Sequence, residues 1–115
     1  MRRGEVVWVD LDPVRGNEAN KRRPVVIVSN DGANREAERL GRGVITVVPI
    51  SSNASRVYPF QVLLPADRGP LRRDSKAQAE QIRAVSVDRV GKSVGRLPTD
   101  LLADLDDAIR LQLSL

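Results

Sequence analysis

The 115-residue sequence contains neither cysteine nor histidine. These absences exclude disulfides, thiolate zinc sites, cysteine or histidine nucleophiles, and every mechanism in which an imidazole serves as acid or base. A magnesium site made of oxygen ligands stays possible, and its only local candidate is the pair Asp10 and Asp12. Acids at a strand end are usually solvated turn formers, so the sequence predicts no metal and no cofactor.

Aromatic residues and long apolar runs are also scarce. Trp8, Tyr58 and Phe60 are the only aromatic residues, so repeated base stacking in the manner of an OB-fold is poorly supported. No apolar run approaches the roughly 18 residues that span a bilayer, and the first ten residues lack a signal-peptide pattern. We therefore expect a single domain over residues 1–115, in the cytoplasm and without a membrane partner.

Basic residues, by contrast, are plentiful and unevenly placed. The net charge is +4, from 19 lysines and arginines against 15 acids. Residues 98–115 hold four acids and one base, whereas residues 1–97 hold 18 bases and 11 acids, a balance of +7. Sixteen of the 19 bases are arginine, whose planar guanidinium group can donate two hydrogen bonds to one phosphate. An arginine-rich surface can simply be soluble, but this distribution favours a polyanionic partner such as a nucleic acid.

Alternating and β-branched residues predict a series of short strands. The predicted strands are 5–11, 24–29, 44–50, 57–64 and 92–97. The second is apolar throughout, which indicates a strand covered on both faces. Because proline cannot donate to a ladder, Pro24 is expected at the first residue of its strand and Pro59 at an edge or bulge.

Helical patterns occupy the C-terminus and one internal segment. Residues 98–113 carry an apolar stripe at helical spacing, with proline at the start and acids early. Residues 30–42 predict a short helix, capped by Asn30 or Asp31 and ended by glycine. Residues 75–85 fit a helix or a bulged strand equally well. The sequence thus predicts a mainly β (α+β) fold, a curved antiparallel sheet of five to seven strands with a C-terminal helix packed on it.

A polar loop joins the first two predicted strands. It contains turn formers, the acid Glu18 and the basic cluster Lys21, Arg22 and Arg23, and it leads directly into Pro24. Turns and charge before a buried strand predict a loop that projects polar groups from a rigid sheet edge. A glutamate and an arginine five residues apart in a loop also fit a surface ion pair without function.

Three linked motifs resemble the MazF/PemK family of toxin endoribonucleases. The opening GEVVWVDLDPVRGNEANKRRPVVIVS contains the family's D-P-x-x-G-x-E motif and its Arg-Pro before a hydrophobic strand. VITVVPISSN is similar to the motif that ends in a hydroxyl residue, and RRDSKAQAEQIRAVSVDRVGKSVGRL is similar to the D-S-x-x-x-x-x-Q-I-R segment. The resemblance runs through all 115 residues in order, which makes it far more specific than one motif.

This resemblance implies a fold, an activity and partners. The fold would be an SH3-like β-barrel of the PemK/CcdB type, in which residues 75–85 are strand rather than helix. The active form would be a homodimer that cleaves single-stranded RNA without a metal. A cognate MazE-like antitoxin would inhibit it by laying an extended acidic segment over the RNA site.

The resemblance also implies the site residues. Arg23 matches the catalytic arginine, Ser51 matches a position where many members carry threonine, and Glu18 matches an acid at the same site. Gln81 and Arg83 match positions near the RNA groove, Lys21 and Arg22 supply steering charge, and the 53–58 loop contributes base contacts. The predicted RNA-binding residues are therefore Lys21, Arg22, Asn53, Arg56, Gln81 and Arg83.

Two other functions fit the same fold. A CcdB-like inhibitor would bind DNA gyrase without chemistry, and a plain SH3-like module would bind RNA without cleaving it. The discriminating feature is Arg23 with Ser51, which neither alternative requires. The group that acts as general base stays open, with Glu18 the physically easier acceptor.

Overall fold

The structure is a computed structural model that describes residues 1–11, 16–17 and 21–115. Within these residues the chain forms seven strands, two α-helices and three short 3₁₀ turns. The strands are β1 (Glu5–Asp10), β2 (Arg22–Ile27), β3 (Val44–Ser51), β4 (Gln61–Leu64), β5 (Ser75–Gln78), β6 (Arg83–Ser86) and β7 (Val90–Arg96), and the helices are α1 (Asp31–Leu40) and α2 (Thr99–Leu113). The turns are Ala66–Arg68, Ala79–Gln81 and Val87–Arg89.

All seven strands belong to one antiparallel sheet in the order β4-β5-β3-β2-β1-β7, with β6 on β3. Strand β3 pairs with β2 along one edge and with two strands along the other, first β6 and then β5. The predicted mainly β fold with a C-terminal helix is confirmed. However, no pairing between the end strands β4 and β7 closes a barrel in the described part of the chain.

The sheet carries a hydrophobic core on each face. Successive side chains of a strand point to opposite faces, so Val6 and Val26 enter one core while Val7 and Val25 enter the other. The first core is completed by α2, whose Leu105 is fully buried. The second core includes Ala37 of α1. This arrangement confirms the prediction of a second strand covered on both faces.

The helix ends follow the predicted capping chemistry. The Asn30 side chain accepts a hydrogen bond from the Ala33 N–H at 2.8 Å and so caps the start of α1. Gly41, at a φ of 65°, ends the helix in the left-handed conformation that glycine tolerates. Helix α2 begins at Thr99, directly after Pro98. No helix in residues 1–11, 16–17 and 21–115 is long and apolar enough to cross a membrane.

Three strand predictions were wrong at their beginnings, and the last of them, β7, begins at Val90 rather than at residue 92. Strand β2 begins at Arg22, so Pro24 is its third residue rather than its first. Proline is tolerated at position 24 because its nitrogen points toward β3 at a place where the ladder needs no donor. Val25 is the last β2 residue that pairs with β3. The strand predicted over 57–64 is only β4, because the Tyr58 carbonyl accepts from the Gln61 N–H at 2.8 Å and closes a turn.

Residues 75–85 form neither a helix nor one continuous strand. They divide into β5, the turn Ala79–Gln81, and the first part of β6. The family resemblance implied strand over 75–85, which is confirmed for β5 and the first part of β6 but not for the 3₁₀ turn between them. The turn lets one chain segment pair with two different parts of β3.

Candidate active site

Arg23 and Ser51 lie at the same end of two neighbouring strands. The ladder between β2 and β3 pairs Val25 with Pro49 and Ile27 with Val47. Arg23 and Ser51 each lie two residues beyond the last pair of this ladder, Val25 with Pro49, at the same end of the two strands. Opposite residues of an antiparallel pair project from the same face of the sheet. The fold therefore brings the predicted catalytic arginine and the predicted catalytic hydroxyl to one face.

Pro24 ends the ladder just before this pair. The Val28 N–H donates to Thr46 across the ladder at 2.9 Å, and N–H groups of alternate residues point the same way. The next such donor toward the loop would be residue 24, which has no N–H because it is proline. Beyond Val25 the described residues of β2 form no further pair with β3, and the side chains of Arg23 and Ser51 are both half-buried.

Ser51 keeps a proton to donate. Its Oγ accepts a hydrogen bond from the Asn53 N–H at 3.2 Å. A hydroxyl that accepts in this way still has its own O–H available. Asn53 in turn organises the next residues, because its Oδ1 accepts from the Ser55 Oγ at 2.7 Å.

Gln81 and Arg83 contact the backbone of the loop between β1 and β2. Gln81 donates from Nε2 to the Asn17 carbonyl at 3.1 Å, and Arg83 donates from Nη1 to the Leu11 carbonyl at 3.4 Å. Arg83 lies opposite Val47 and so shares the face of Arg23 and Ser51. Both residues were predicted to bind RNA, and the contacts described here are to the loop that precedes Arg23.

Glu18 lies outside the described residues, as does Asp12 of the proposed magnesium pair. In the part of the chain that the structure describes, no three acidic side chains cluster in the manner of a metal site.

The basic residues Lys21 and Arg22 are exposed. The Lys21 carbonyl accepts from the Leu11 N–H at 3.0 Å, and the Lys21 φ of 63° is unusual for a side chain other than glycine. The Arg22 guanidinium carbon lies 6.0 Å from the centre of the Trp8 ring. Arg23, in contrast to these two exposed residues, is half-buried and lies within β2.

A basic cavity lies at this end of the sheet but on the opposite face from Arg23 and Ser51, because Trp8 and Pro24 share the face of Val6 and Val26. Its volume is about 660 Å³, which is within the size range of small-molecule sites. Pro24 and Ser52, the residues after Arg23 and Ser51, line it. The rest of its lining includes Trp8, Arg72, Arg73 and Lys92. The last three were not predicted, since their only signal in the sequence is positive charge far from the loop.

Glu80 was also missed. It lies beside Gln81 in the turn between β5 and β6. One carboxylate oxygen, Oε2, accepts from Gln61 Nε2 at 2.7 Å. The other, Oε1, is buried and has no hydrogen-bond partner among the residues that the structure describes. In the sequence, Glu80 looks like a helix former in a segment of undecided structure.

Comparison with known sequences assigns nearly the whole chain to one family. Residues 2–113 match the family model described as "PemK-like, MazF-like toxin of type II toxin-antitoxin system". Among curated proteins, the chain is 59% identical over 115 residues to endoribonuclease MazF9 of Mycobacterium tuberculosis, covering 100% of this chain and 98% of that protein.

Solved structures show the same fold. The MazF toxin from Deinococcus radiodurans superposes with a TM-score of 0.81 at 26% identity, covering 100% of this chain and 97% of that one. A mycobacterial endoribonuclease, solved in complex with its cognate antitoxin, superposes with a TM-score of 0.79 at 23% identity, covering 100% and 96%.

Proposed function

The chain belongs to the PemK-like, MazF-like toxin family of type II toxin–antitoxin systems, and we propose that it is a metal-independent, sequence-specific endoribonuclease that cleaves single-stranded mRNA. Such cleavage stops translation and growth. The observation that supports the proposal is the β2–β3 ladder, whose last pair, Val25 with Pro49, lies two residues from Arg23 and from Ser51 on the same face of the sheet. The 59% identical relative named as an endoribonuclease supports it.

The reaction uses the neighbouring 2′-OH of the RNA as nucleophile. Attack on the phosphorus displaces the 5′ oxygen and leaves a 2′,3′-cyclic phosphate and a 5′-OH. The enzyme must remove the 2′-OH proton, stabilise the extra negative charge of the phosphorane, and protonate the leaving oxygen. All three tasks fall to side chains other than imidazole, because the sequence has no histidine.

Arg23 is the group for the phosphate. Its planar guanidinium can hold two phosphate oxygens and donate a proton toward the leaving oxygen. Ser51 donates a further hydrogen bond from its O–H and orients the phosphate. Each preorganised donor of this kind is worth about 10²–10³ in rate, by analogy with oxyanion holes.

Glu18 is the proposed base, or the group that orients Arg23. An arginine stays protonated at neutral pH and is therefore a poor proton acceptor, whereas a carboxylate within about 3 Å of the 2′-OH can accept its proton. The proposal for Glu18 is supported by its position in the D-P-x-x-G-x-E motif.

RNA binding falls to two groups of residues. Lys21, Arg22, Asn53 and Arg56 attract the backbone or contact bases, which is supported by their exposure around the site. Gln81 and Arg83 act by holding the loop that carries Glu18 and leads to Arg23, as their contacts to Asn17 and Leu11 suggest.

The proposed partners are a second copy of the chain and a MazE-like antitoxin. The antitoxin is supported by the similar mycobacterial endoribonuclease solved with its cognate antitoxin. An acidic antitoxin segment would compete with RNA for the same basic surface. Residues 1–115 would act as one toxin domain in the cytoplasm, where its mRNA substrate is found.

The test is incubation of a long RNA with the purified protein in EDTA, followed by mapping of both product ends. We expect cleavage at a short sequence, with cyclic phosphate and 5′-OH ends. Arg23→Ala should abolish cleavage and preserve the circular dichroism spectrum, whereas Arg110→Ala, which removes an exposed arginine of α2, should cleave normally. Cleavage by a folded Arg23→Ala protein would contradict the assignment.

The same experiment separates the alternatives. A CcdB-like protein would leave the RNA intact and inhibit gyrase supercoiling. A plain RNA-binding module would shift the RNA in a salt-sensitive manner without new ends.

A further inference from the structure

Tyr58 stands at the centre of a layered group of side chains. The Phe60 ring stacks with its ring at a centroid distance of 5.4 Å and an angle of 2°. The Arg56 guanidinium carbon lies 5.0 Å from the centre of the Tyr58 ring, and the Lys76 Nζ lies 6.0 Å from it. Two of the three aromatic residues in the chain and two cations thus meet in one place.

Lys76 connects this group to the proposed active site. In the ladder between β3 and β5, Lys76 is the partner of Ser51, so the two side chains share a face. Its Nζ donates to the Arg56 carbonyl at 2.8 Å. The 52–60 segment therefore leaves the sheet at Ser51, turns, and is tied back over the residue that neighbours Ser51.

Burying the Lys76 ammonium group costs free energy unless hydrogen-bond or electrostatic partners compensate for it. Lys76 is only 9% exposed, and lysine is among the residues least often buried without a partner. The partners described here are a neutral carbonyl and an aromatic face. Both belong to the same loop, so the ammonium group fixes the position of Arg56 and Tyr58 relative to Ser51.

The outer part of the group is open to solvent. Arg56 is exposed and Tyr58 is 40% exposed. Aromatic rings and arginine planes are the surfaces on which proteins stack unpaired bases of single-stranded RNA. Because Phe60 and the two cations lie over the Tyr58 ring, the exposed Arg56 guanidinium is the outer layer of the group, and a base that stacks on it has the Tyr58 ring beneath it.

We propose that Tyr58 and Arg56 form a base-stacking subsite for the nucleotide next to the scissile phosphate, and that Lys76 positions them. This subsite selects and orients one base of the substrate. The inference rests on the proposed RNA cleavage and deepens it, because it assigns residues to substrate selection. Lys76 is a positioning residue, since it acts through the loop and not on the RNA.

The binding test uses single-stranded RNA oligonucleotides that span the mapped cleavage site, each with 2-aminopurine at one position. Full-length Arg23→Ala protein holds them uncut. Stacking on an aromatic ring quenches 2-aminopurine, so we expect one position next to the scissile bond to be quenched. Adding Tyr58→Leu should remove that quenching and weaken binding by about 5- to 150-fold, the range for one lost base stack. Tyr58→Phe keeps the ring and should keep the quenching.

Two further variants test the supporting residues in the same background. Lys76→Met keeps the chain length and apolar stem but loses the ammonium, so quenching at the same position should fall although the protein stays folded. Arg56→Ala should have the same effect. Arg110→Ala removes one arginine charge from α2 and should leave the quenching unchanged, which separates stacking from general loss of positive charge.

The second measurement is RNA cleavage by the same variants without the Arg23→Ala substitution. Tyr58→Leu should raise KM more than it lowers kcat and should relax the base preference at one position of the mapped ends. The subsite would be overturned if, in Arg23→Ala protein, the quenching at every position were the same with Tyr58→Leu as with Tyr58. An unchanged base preference in the cleavage assay would overturn it too. If the wild type failed to cleave, the same 2-aminopurine scan would be run on a single-stranded RNA of arbitrary sequence; quenching that depended on Tyr58 would then mean that the proposed cleavage fails and the subsite stands.

Discussion

Gln81 donates a hydrogen bond from its Nε2 to the carbonyl of Asn17 at 3.1 Å, across 64 residues of sequence. Arg83, two residues later, contacts the Leu11 carbonyl on the other side of the same loop. The segment after β5 therefore holds the β1–β2 loop at both of these points. Since the loop leads into Arg23, these contacts act on the orientation of the proposed catalytic arginine.

Replacing the Gln81 amide should therefore lower the cleavage rate through the loop. Gln81→Leu has nearly the same size but cannot donate to Asn17. We expect kcat to fall by about 10- to 100-fold, because a displacement of about 1 Å in a reacting group can cost 10²-fold. Single-turnover cleavage of an oligonucleotide measures the rate, with thermal melting as the control for folding. An unchanged rate in Gln81→Leu would show that the contact has no influence on Arg23.

The hydroxyl of Ser51 should matter more than its size. Ser51→Ala removes the proposed donor to the phosphate, so we expect cleavage to fall by about 10²–10³-fold. Ser51→Thr keeps the hydroxyl and should retain most of the activity. The comparison of the two variants by single-turnover cleavage isolates the O–H. Equal activity of the alanine and threonine variants would contradict the role.

Stability should depend on the ionisation of Asp31 in acid. The Arg3 backbone N–H donates to Asp31 Oδ1 at 2.7 Å and lowers the pKa of Asp31, a shift that partial desolvation opposes and Arg35 reinforces. Because folding favours the carboxylate, its contribution is present above its ordinary pKa near pH 4 and is lost as pH falls through the lowered value. Asp31→Asn should therefore lower Tm at pH 7 and differ less from wild type below pH 4.

Melting curves of both proteins across this pH range provide the measurement for Asp31. An equally large Tm difference at pH 3 and pH 7 would exclude a contribution from the charge.

Gly95 should not tolerate a side chain. Its φ is 149°, and a Cβ built there would approach the Pro70 Cβ to 2.6 Å. Pro70 is a rigid ring, so either the loop or β7 must shift. We expect Gly95→Ala to destabilise the protein by about 1–3 kcal/mol, measured by urea denaturation. Gly69→Ala is the matched control and should be nearly neutral, because Gly69 has an extended backbone and ordinary contact distances.

Structural features that depend on side chains close together in the sequence could be predicted. The Asn30 cap and the Gly41 end of α1 follow from side chains within a few residues, and the β-branched run after Pro24 indicates a buried strand. Residues 75–85 could not be assigned from their composition, since lysine, alanine and glutamine have low strand propensity. They become strand because β3 and β4 offer ladder partners from elsewhere in the chain.

The spatial arrangement of the site residues could not be predicted from the residues alone. A sequence contains no register, so nothing local in it says that positions 23 and 51 lie at the same end of neighbouring strands. The family resemblance assigned both residues to one site, and the β2–β3 ladder brings the ends of their strands to the same end of the sheet. The relation of Lys76 to Tyr58 had no signal at all, because it depends on a loop that folds back over a strand.

Strand β3 pairs with three other strands, with β2 along one edge and with β6 and β5 along the other. It also supplies buried residues to both cores, Val48 to one and Val47 to the other. Separating β3 from either neighbour would therefore expose apolar residues of both cores. The amide protons of β3 should exchange with deuterium only through global unfolding, and they should do so more slowly than those of β4 and β7 at the free edges.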